Sequence, residues 1–429
     1  MAVQTINYQC PACTGPLQFN PETGRPECEY CGSTYELAEI EALYQNEAEQ
    51  WDTSDLQDDW GEATEGMKVY SCPSCTAELI CDESVAASCC PYCGSPTMVP
   101  GQFSGALKPD YVLPFRQDKD AAVTALKKHY QKRFFLPKDF CTGNHIEQVQ
   151  GVYVPFWLFD GKAEGSAGFE GTRSKTYRRG EYRITETSHY RVNRAGSLEF
   201  EKVPVDASDR MPDGHMDSIE PFDYSELKPF TTAYLPGFMA DKYDVKVDDS
   251  QKRADERCEA TLVDELRKTV VGYETVSDRG SQIRLQRGKV HYALLPVWLL
   301  STKWQGQNFL FAMNGQSGKL VGDLPVDRKK YWTTFLSIGI GLSILIAMLI
   351  LLMGSPEDPM KSVLIGTAAA FVVSLLVCSI LKAGMKNVHV GTEAQAYIAG
   401  NLNLTWKQDC YTHTTTHRVK EQTNSSKKS

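Results

Sequence analysis

Positive charge is what the first hundred residues lack. Residues 1–100 hold two basic side chains, Arg25 and Lys68, against seventeen acidic ones. Phosphate contacts need Lys and Arg to displace counterions, so this deficit argues against nucleic acid as the partner of the region. Catalytic signatures are missing too. There is no H-E-x-x-H and no G-x-S-x-G, and Gly315-Gln-Ser-Gly318-Lys319-Leu320 lacks the G-x-x-x-x-G-K-[ST] frame of a phosphate loop. The expectation is a protein that is not an enzyme. The first twenty residues contain no apolar run of signal-peptide type, so the N-terminal part is expected to stay in the cytosol.

Charge is absent from two further stretches, and there the absence carries a positive meaning. No charged side chain lies between Tyr331 and Pro356, nor between Ser362 and Leu381. Each run reaches the ~20 apolar residues that a helix needs to cross the hydrocarbon core. Gly354 to Lys361, with two prolines, is long enough only for a tight reversal. These features predict a transmembrane helical hairpin over 331–382. Arg328, Lys329 and Lys330 precede it, and Lys382 and Lys386 follow it. Basic flanks stay on the cytoplasmic side, so both termini are expected in the cytoplasm.

The cysteines are plentiful. There are fourteen, and in a reducing compartment such a count points to metal. Cys10-Pro-Ala-Cys13 is followed after fourteen residues by Cys28-Glu-Tyr-Cys31-Gly32, and Cys72-Pro-Ser-Cys75 after the same gap by Cys90-Pro-Tyr-Cys93-Gly94. Each pair of C-x-x-C knuckles can close a tetrahedron of four thiolates around one zinc ion, a structural site without an open position. The expectation is two zinc ribbons, over 1–35 and 66–99, holding two structural zinc ions. Cys10, Cys13, Cys28, Cys31, Cys72, Cys75, Cys90 and Cys93 are the ligands. Cys89 competes with Cys90 for its place, although only Cys90 keeps the spacing to Cys93. Cys81 reads as a spectator. Cys141, Cys258, Cys378 and Cys410 read as small buried hydrophobes. Metal binding then supplies folding free energy that ribbons of this size cannot draw from a core.

Between the ribbons, 36–65 carries eleven acidic residues and no Lys or Arg. It reads either as a solvated acidic linker or as a docking helix with Trp51 and Trp60 as its contacts. The 100–330 region mixes two helical patterns, around 118–134 and 250–270, with strand-like runs such as Gly151 to Phe159 and His291 to Leu300. Val154-Pro-Phe-Trp-Leu158 echoes Leu295-Pro-Val-Trp-Leu299, which points to an α+β, β-rich domain of two related halves. A proline in such a strand suggests an edge or a bulge. Arg173 to Arg194 is basic, and reads either as a solvated hairpin or as a contact for anionic headgroups. His413 and His417 alternate with threonines like exposed strand residues, which disfavours them and Cys410 as ligands. The 383–429 segment reads as a short cytosolic tail with a disordered end.

The paired ribbons, Gly151-Val-Tyr-Val-Pro-Phe-Trp-Leu158, Met216-Asp-Ser-Ile-Glu-Pro-Phe-Asp-Tyr224, Leu294-Leu-Pro-Val-Trp298 and Phe311 to Leu324 resemble a bacterial family. Its members are labelled TFIIB-type zinc-ribbon-containing proteins and are often loosely named after the primosomal helicase. The resemblance implies zinc, a bacterial plasma membrane, and association with flotillin-like or phage-shock-type membrane-stress proteins. The expected protein is thus multidomain: two ribbons on a central domain on a membrane hairpin. It acts as a scaffold recruiting a cytosolic protein, with a membrane-tethered nucleic-acid-binding regulator as the alternative. Residues 1–100 are expected to project away from the bilayer, offering Trp51, Trp60, Tyr30 and Tyr92 to a basic partner.

Overall fold

The computed structural model describes residues 10, 17–20, 23, 25–28, 30–36, 39–40, 51–56, 67–82, 89–95, 98–101, 107–131, 133–143, 148–352, 359–389, 391 and 393–420. Cys13, Trp60, the hairpin turn at 353–358 and the end of the tail at 421–429 lie outside them.

The strands in chain order are β1 (Leu17–Asn20), β2 (Arg25–Cys28), β3 (Met67–Ser71), β4 (Glu78–Asp82), β5 (Val99–Gly101), β6 (Tyr111–Val112), β7 (Gln150–Arg179), β8 (Tyr182–Asp206), β9 (Lys228–Pro229), β10 (Met239–Asp241), β11 (Thr275–Trp304), β12 (Gln307–Asn314), β13 (Leu320–Val321) and β14 (Ile398–Lys420). The helices are α1 (Lys119–Tyr130), α2 (Lys138–Gly143), α3 (Asp213–Ile219), α4 (Val247–Lys268), α5 (Arg328–Leu352) and α6 (Pro359–Ala383). Asp118 caps α1 by accepting from Ala121 N at 2.8 Å. Helix α4 has Asp248 and Asp249 in its first turn and Arg267 and Lys268 in its last, which suits the helix dipole.

Four strands dominate. β7, β8, β11 and β14 form an antiparallel blade in the order β11-β7-β8-β14. Thirty residues of β7 at ~3.3 Å each make this blade up to about 100 Å long. Its inner half is a core: Phe156, Trp157, Phe159, Phe169, Leu198 and Val205 are buried. Ala254, Cys258, Leu262 and Leu266 of α4 join the same apolar cluster. The outer half has no such cover, and its residues are mostly exposed on both faces.

The repeated Pro-x-Trp segments meet each other. Val154 of β7 pairs with Leu295 of β11, so the two runs cross at the middle of the sheet. The prolines do not mark an edge, contrary to the sequence expectation. Pro155 falls between Tyr153, which pairs with β10, and Phe156, which pairs with β8. Pro296 falls between Leu294, which pairs with β6, and Val297, which pairs with β12. Each proline thus occupies the gap between two flanking strands, where a missing N–H interrupts no ladder.

Two expected boundaries are not boundaries in the fold. The 66–99 module shares the central sheet, because β4 pairs with β10 and β10 with β7. The segment taken as a tail contains β14, twenty-three residues paired along β8.

Helices α5 and α6 are long and apolar enough to cross a membrane, over Arg328–Ile350 and Met360–Ala383, with mean hydropathies of 2.2 and 2.5. Large apolar side chains face outward all round them, among them Ile344, Leu364, Ile365 and Ile380. A helix that is apolar on every side suits lipid. They pack through Gly339 against the Phe371 ring and through Ser374 Oγ, which donates to Phe335 O at 2.6 Å. The two feet are tied to each other, Leu324 N donating to Met385 O, and Asn387 ties the foot of α6 to β13 by donating to Leu320 O and accepting from Gly322 N.

Candidate metal centres

Three of the C-x-x-C knuckles share one backbone pattern. The N–H of the residue after the knuckle returns to the first cysteine's carbonyl: Gly32 to Cys28 at 2.9 Å, Thr76 to Cys72 at 2.8 Å, Gly94 to Cys90 at 2.9 Å. The first cysteine's own N–H reaches five residues on, to Ser33, Ala77 and Ser95. Closing that loop demands positive φ after the last cysteine. Gly32 (72°) and Gly94 (67°) adopt it without strain, and Thr76 adopts it at 59°. The knuckle sets both of its thiols on one side.

The sulfurs then converge. Cys72, Cys75, Cys90 and Cys93 bring four Sγ atoms within 4.8 Å of one another, and Cys10, Cys28 and Cys31 bring three. Cys72–Cys93 and Cys75–Cys90 are 3.7 and 3.5 Å apart, and Cys10–Cys31 is 3.6 Å. A tetrahedral ion with metal–sulfur bonds of ~2.3 Å requires sulfur–sulfur edges of ~3.8 Å, so the spacing fits. Burial opposes ionisation of Cys72, yet the N–H groups of Cys75 and Ser74 and the neighbouring thiols draw its thiol down to about 7. Burial pushes Cys75 up to about 11 and Cys90 further. A coordinated cation is the kind of charge that lets such thiols ionise together.

The rivalry between Cys89 and Cys90 resolves by direction. Cys90 joins the cluster, whereas Cys89 Sγ accepts from Gln150 Nε2 at 2.9 Å. Cys81 is buried in β4 and is not among the four converging sulfurs. Cys258 and Cys378 are buried as expected, but Cys410 is exposed on β14, which corrects its reading as a buried hydrophobe. Of Cys141 only the backbone is described.

The second cluster is locked to the sheet by contacts that the sequence did not signal. Tyr92, inside the last knuckle, donates its hydroxyl to Asp241 of β10, and Ser208 donates to the same oxygen. Arg210 Nη2 donates to Thr76 O at 3.0 Å. The first cluster rests on β14, whose Trp406 packs with Leu17 and Tyr35 against the Cys10–Cys28 cluster and stacks with Tyr30 at 6.2 Å. Neither cluster projects from the end of the domain as the charge argument expected. Two of the aromatic residues expected to be free for a partner are buried: Trp51 is 5% exposed and packs edge-on to Phe159, and Tyr92 is 7% exposed. Tyr30 is half exposed. His413 and His417 lie on an exposed strand, and the rings of His413 and His189 stack at 4.4 Å.

The Bacillus subtilis (strain 168) protein described as "Uncharacterized protein YdjG" is 35% identical over 349 residues, which is 81% of this chain and 98% of that protein. This chain belongs to the YdjG family. No family model matches it, and no solved structure matches it. The YdjG relationship extends over far more of the chain than the cysteine modules occupy, so it does not rest on their motif alone.

Proposed function

We propose that this protein is a membrane-anchored zinc scaffold, with a zinc-ribbon pair that recruits a cytosolic protein to the bacterial plasma membrane. One observation supports this reading most. The second cysteine cluster is bonded to the central sheet and the first packs on Trp406 of β14, and the same sheet is tied through β13 to the foot of the apolar hairpin. Zinc suits a site of cysteine thiolates at tetrahedral spacing, and all-thiolate closure makes it structural. The acidic balance of residues 1–100 favours a partner with a basic surface. The resemblance to TFIIB-type zinc-ribbon proteins suggests membrane-stress proteins as the partner class.

The test has two arms on the full chain in cells. A cysteine at Ser355 should react with an impermeant reagent from outside, and one at Ser426 should not. Crosslinking followed by identification should recover one recurrent protein with the wild type, and lose it with Cys28→Ser. Reversed labelling sinks the topology, and equal recovery with Cys28→Ser sinks the recruiting role of the first ribbon.

A second reading, a membrane-tethered nucleic-acid-binding regulator, is favoured by the outer end of the blade. Arg173, Lys175, Arg179, Arg418 and Lys420 fall on one side of it by strand register. Binding that weakens steeply as salt rises would support this alternative. The headgroup reading of the same residues loses ground, because they lie at the end of β7 opposite to the hairpin.

A further inference from the structure

We infer that copies of this chain associate side by side through the open edges of the blade. Strand β14 of one copy pairs antiparallel with the outer half of β11 in the next. The inference rests on the reading that α5 and α6 lie in a membrane.

The edges come first. Among the described residues, β14 pairs with β8 alone, and residues 275–287 of β11 pair with β7 alone. Every residue from 407 to 420 is exposed, as are those from 277 to 282. Each edge therefore presents a row of backbone N–H and C=O groups without a strand partner. Monomeric proteins blunt such edges with proline, short strands, charged side chains, bulges or a covering element. Here each edge has charges, Asp278 and Arg279 on β11 and Lys407, Asp409, Arg418 and Lys420 on β14, and one register shift in the seam region, at Asp278/Gly280 and at Tyr411/His413. Neither 275–290 nor 398–420 contains a proline, and β14 is twenty-three residues long. Arg267 does cover one carbonyl of the β11 edge, Val276 O, at 3.0 Å. From Ser277 to Ile283 no comparable cap is among the described hydrogen bonds, whereas further inward Asp52 covers the edge through Gly288 O and Val290 N.

The outer blade also lacks a face to bury. Its three outermost strands carry Thr176, Thr185, Thr187, Thr412, Thr414, Thr415 and Thr416, and both faces are wet. Threonine favours strand geometry without supplying an apolar core.

Strand polarity then selects the partner. β7 runs from the hairpin end outward and β8 returns. β14 runs outward again, while β11 runs back toward the hairpin. The two open edges thus have opposite directions. Copies held in one membrane share one orientation, so neighbours side by side meet as an outward β14 and an inward β11. That is an antiparallel seam, continuous with the ladder inside each copy. A two-fold axis along the membrane normal would instead pair β14 with β14 in parallel and leave both β11 edges open. The seam is heterologous, so it propagates into a ring or a filament.

Register carried level across the blade gives the contact in residues. Ser277 pairs with Glu170, Glu170 with Arg191 and Arg191 with Cys410. Ser277 of one copy therefore faces Cys410 of the next, and Cys410 is an exposed free thiol. The same register sets Asp278 beside Asp409. Each is already paired within its own chain, Asp278 with Arg267 and Asp409 with Arg194.

The test uses the full chain in its membrane, metal-loaded, with a short bifunctional thiol reagent. Ser277→Cys should give a ladder of dimers, trimers and larger species, while wild type and Ser277→Cys with Cys410→Ser should not. A second pair, Ser281→Cys with Lys407→Cys in a Cys410→Ser background, tests the same register independently, since Ser281 lies level with Lys407. Wild type crosslinking to dimers through Cys410 alone would overturn the inference in favour of two-fold pairing. Monomers from both engineered pairs would overturn association altogether. Alkaline carbonate extraction is scored separately: release of the chain without detergent would mean that the membrane reading had failed, whatever the crosslinks.

Discussion

Tyr92 donates its hydroxyl to Asp241 Oδ2 at 2.6 Å across 149 positions of sequence, and both residues are buried. Tyr92 sits between Cys90 and Cys93 of the four-sulfur cluster, and Asp241 ends β10 in the central sheet. The second metal module is thereby part of the core rather than an appendage. Leu79 and Cys81 on β4 lie in one apolar cluster with Val152, Phe156 and Met239. Whatever holds the four sulfurs together also holds one side of the sheet.

The two clusters should therefore respond unequally to ligand loss. Cys90→Ser should remove one metal ion and destabilise the whole cytosolic part, lowering its Tm. Cys31→Ser should remove the other ion with a much smaller change in Tm, because among the described residues the first cluster meets the blade chiefly at Trp406. Metal content by elemental analysis and thermal unfolding of the two variants check this. Equal Tm losses would contradict it.

Asp241 should give stability an unusual pH slope. Burial pushes its carboxyl from 3.8 up to about 6, against the Tyr92 and Ser208 hydroxyls and the Arg210 charge, which pull it down; Asp244 adds to the rise. Between those values the folded state keeps a proton that the unfolded state has released. Stability from this group is then greatest at low pH and falls as pH rises through the window, by roughly 3 kcal/mol over its full span. Asp241→Asn lacks the slope. Wild type should gain stability relative to Asp241→Asn as pH is lowered from 7.5 to 5, with bound metal measured at each point. The opposite trend would show a carboxylate that is ionised throughout.

Trp51 separates a docking role from a structural one. Its ring lies against Phe159 and closes on Gly161, where an added Cβ would come within 3.1 Å of it. The neighbouring Asp52 joins the sheet through Gly288 and Val290. Trp51→Ala should cost about 3–5 kcal/mol, the range for truncating a buried aromatic side chain. Denaturant unfolding measures it, and a change under 1 kcal/mol would restore the reading of Trp51 as a surface contact.

Local chemistry made parts of this molecule legible, and long-range pairing hid the rest. Cysteine spacing reports the knuckle directly, because loop closure depends on a few adjacent residues. Leu262, Leu266 and Val270 showed their buried side through helical spacing. The two uncharged runs announced their helices through length alone. By contrast, nothing in Cys90-Pro-Tyr-Cys93 tells that its tyrosine will meet an aspartate 149 residues on. The long blade was hidden for a related reason. Its outer strands are polar on both faces, so they lack the alternation that marks a half-buried strand, and the last of them looked like a tail. Trp51 misled because an acidic surrounding suggested solvent, whereas its contacts come from β7, a hundred residues away.

Truncation brings these arguments to a single comparison. Removing residues 1–35 takes away the first cluster, whose described contacts with the blade are few, chiefly those around Trp406. The remaining chain should keep one metal ion, an intact sheet and membrane insertion. Removing residues 1–100 takes away β3, β4 and β5, the second cluster, Trp51 and Tyr92. β10 then loses β4, its antiparallel neighbour. Asp241 loses the Tyr92 hydroxyl, which for a buried acceptor costs about 1–3 kcal/mol. Leu79, Ile80 and Trp51 leave cavities over the inner blade. The shorter deletion should resist limited proteolysis as the full chain does, and the longer one should be digested through the central domain. If 101–429 proves as resistant as the full chain, the second module is a separable domain after all, and the Tyr92–Asp241 bond is incidental to the fold.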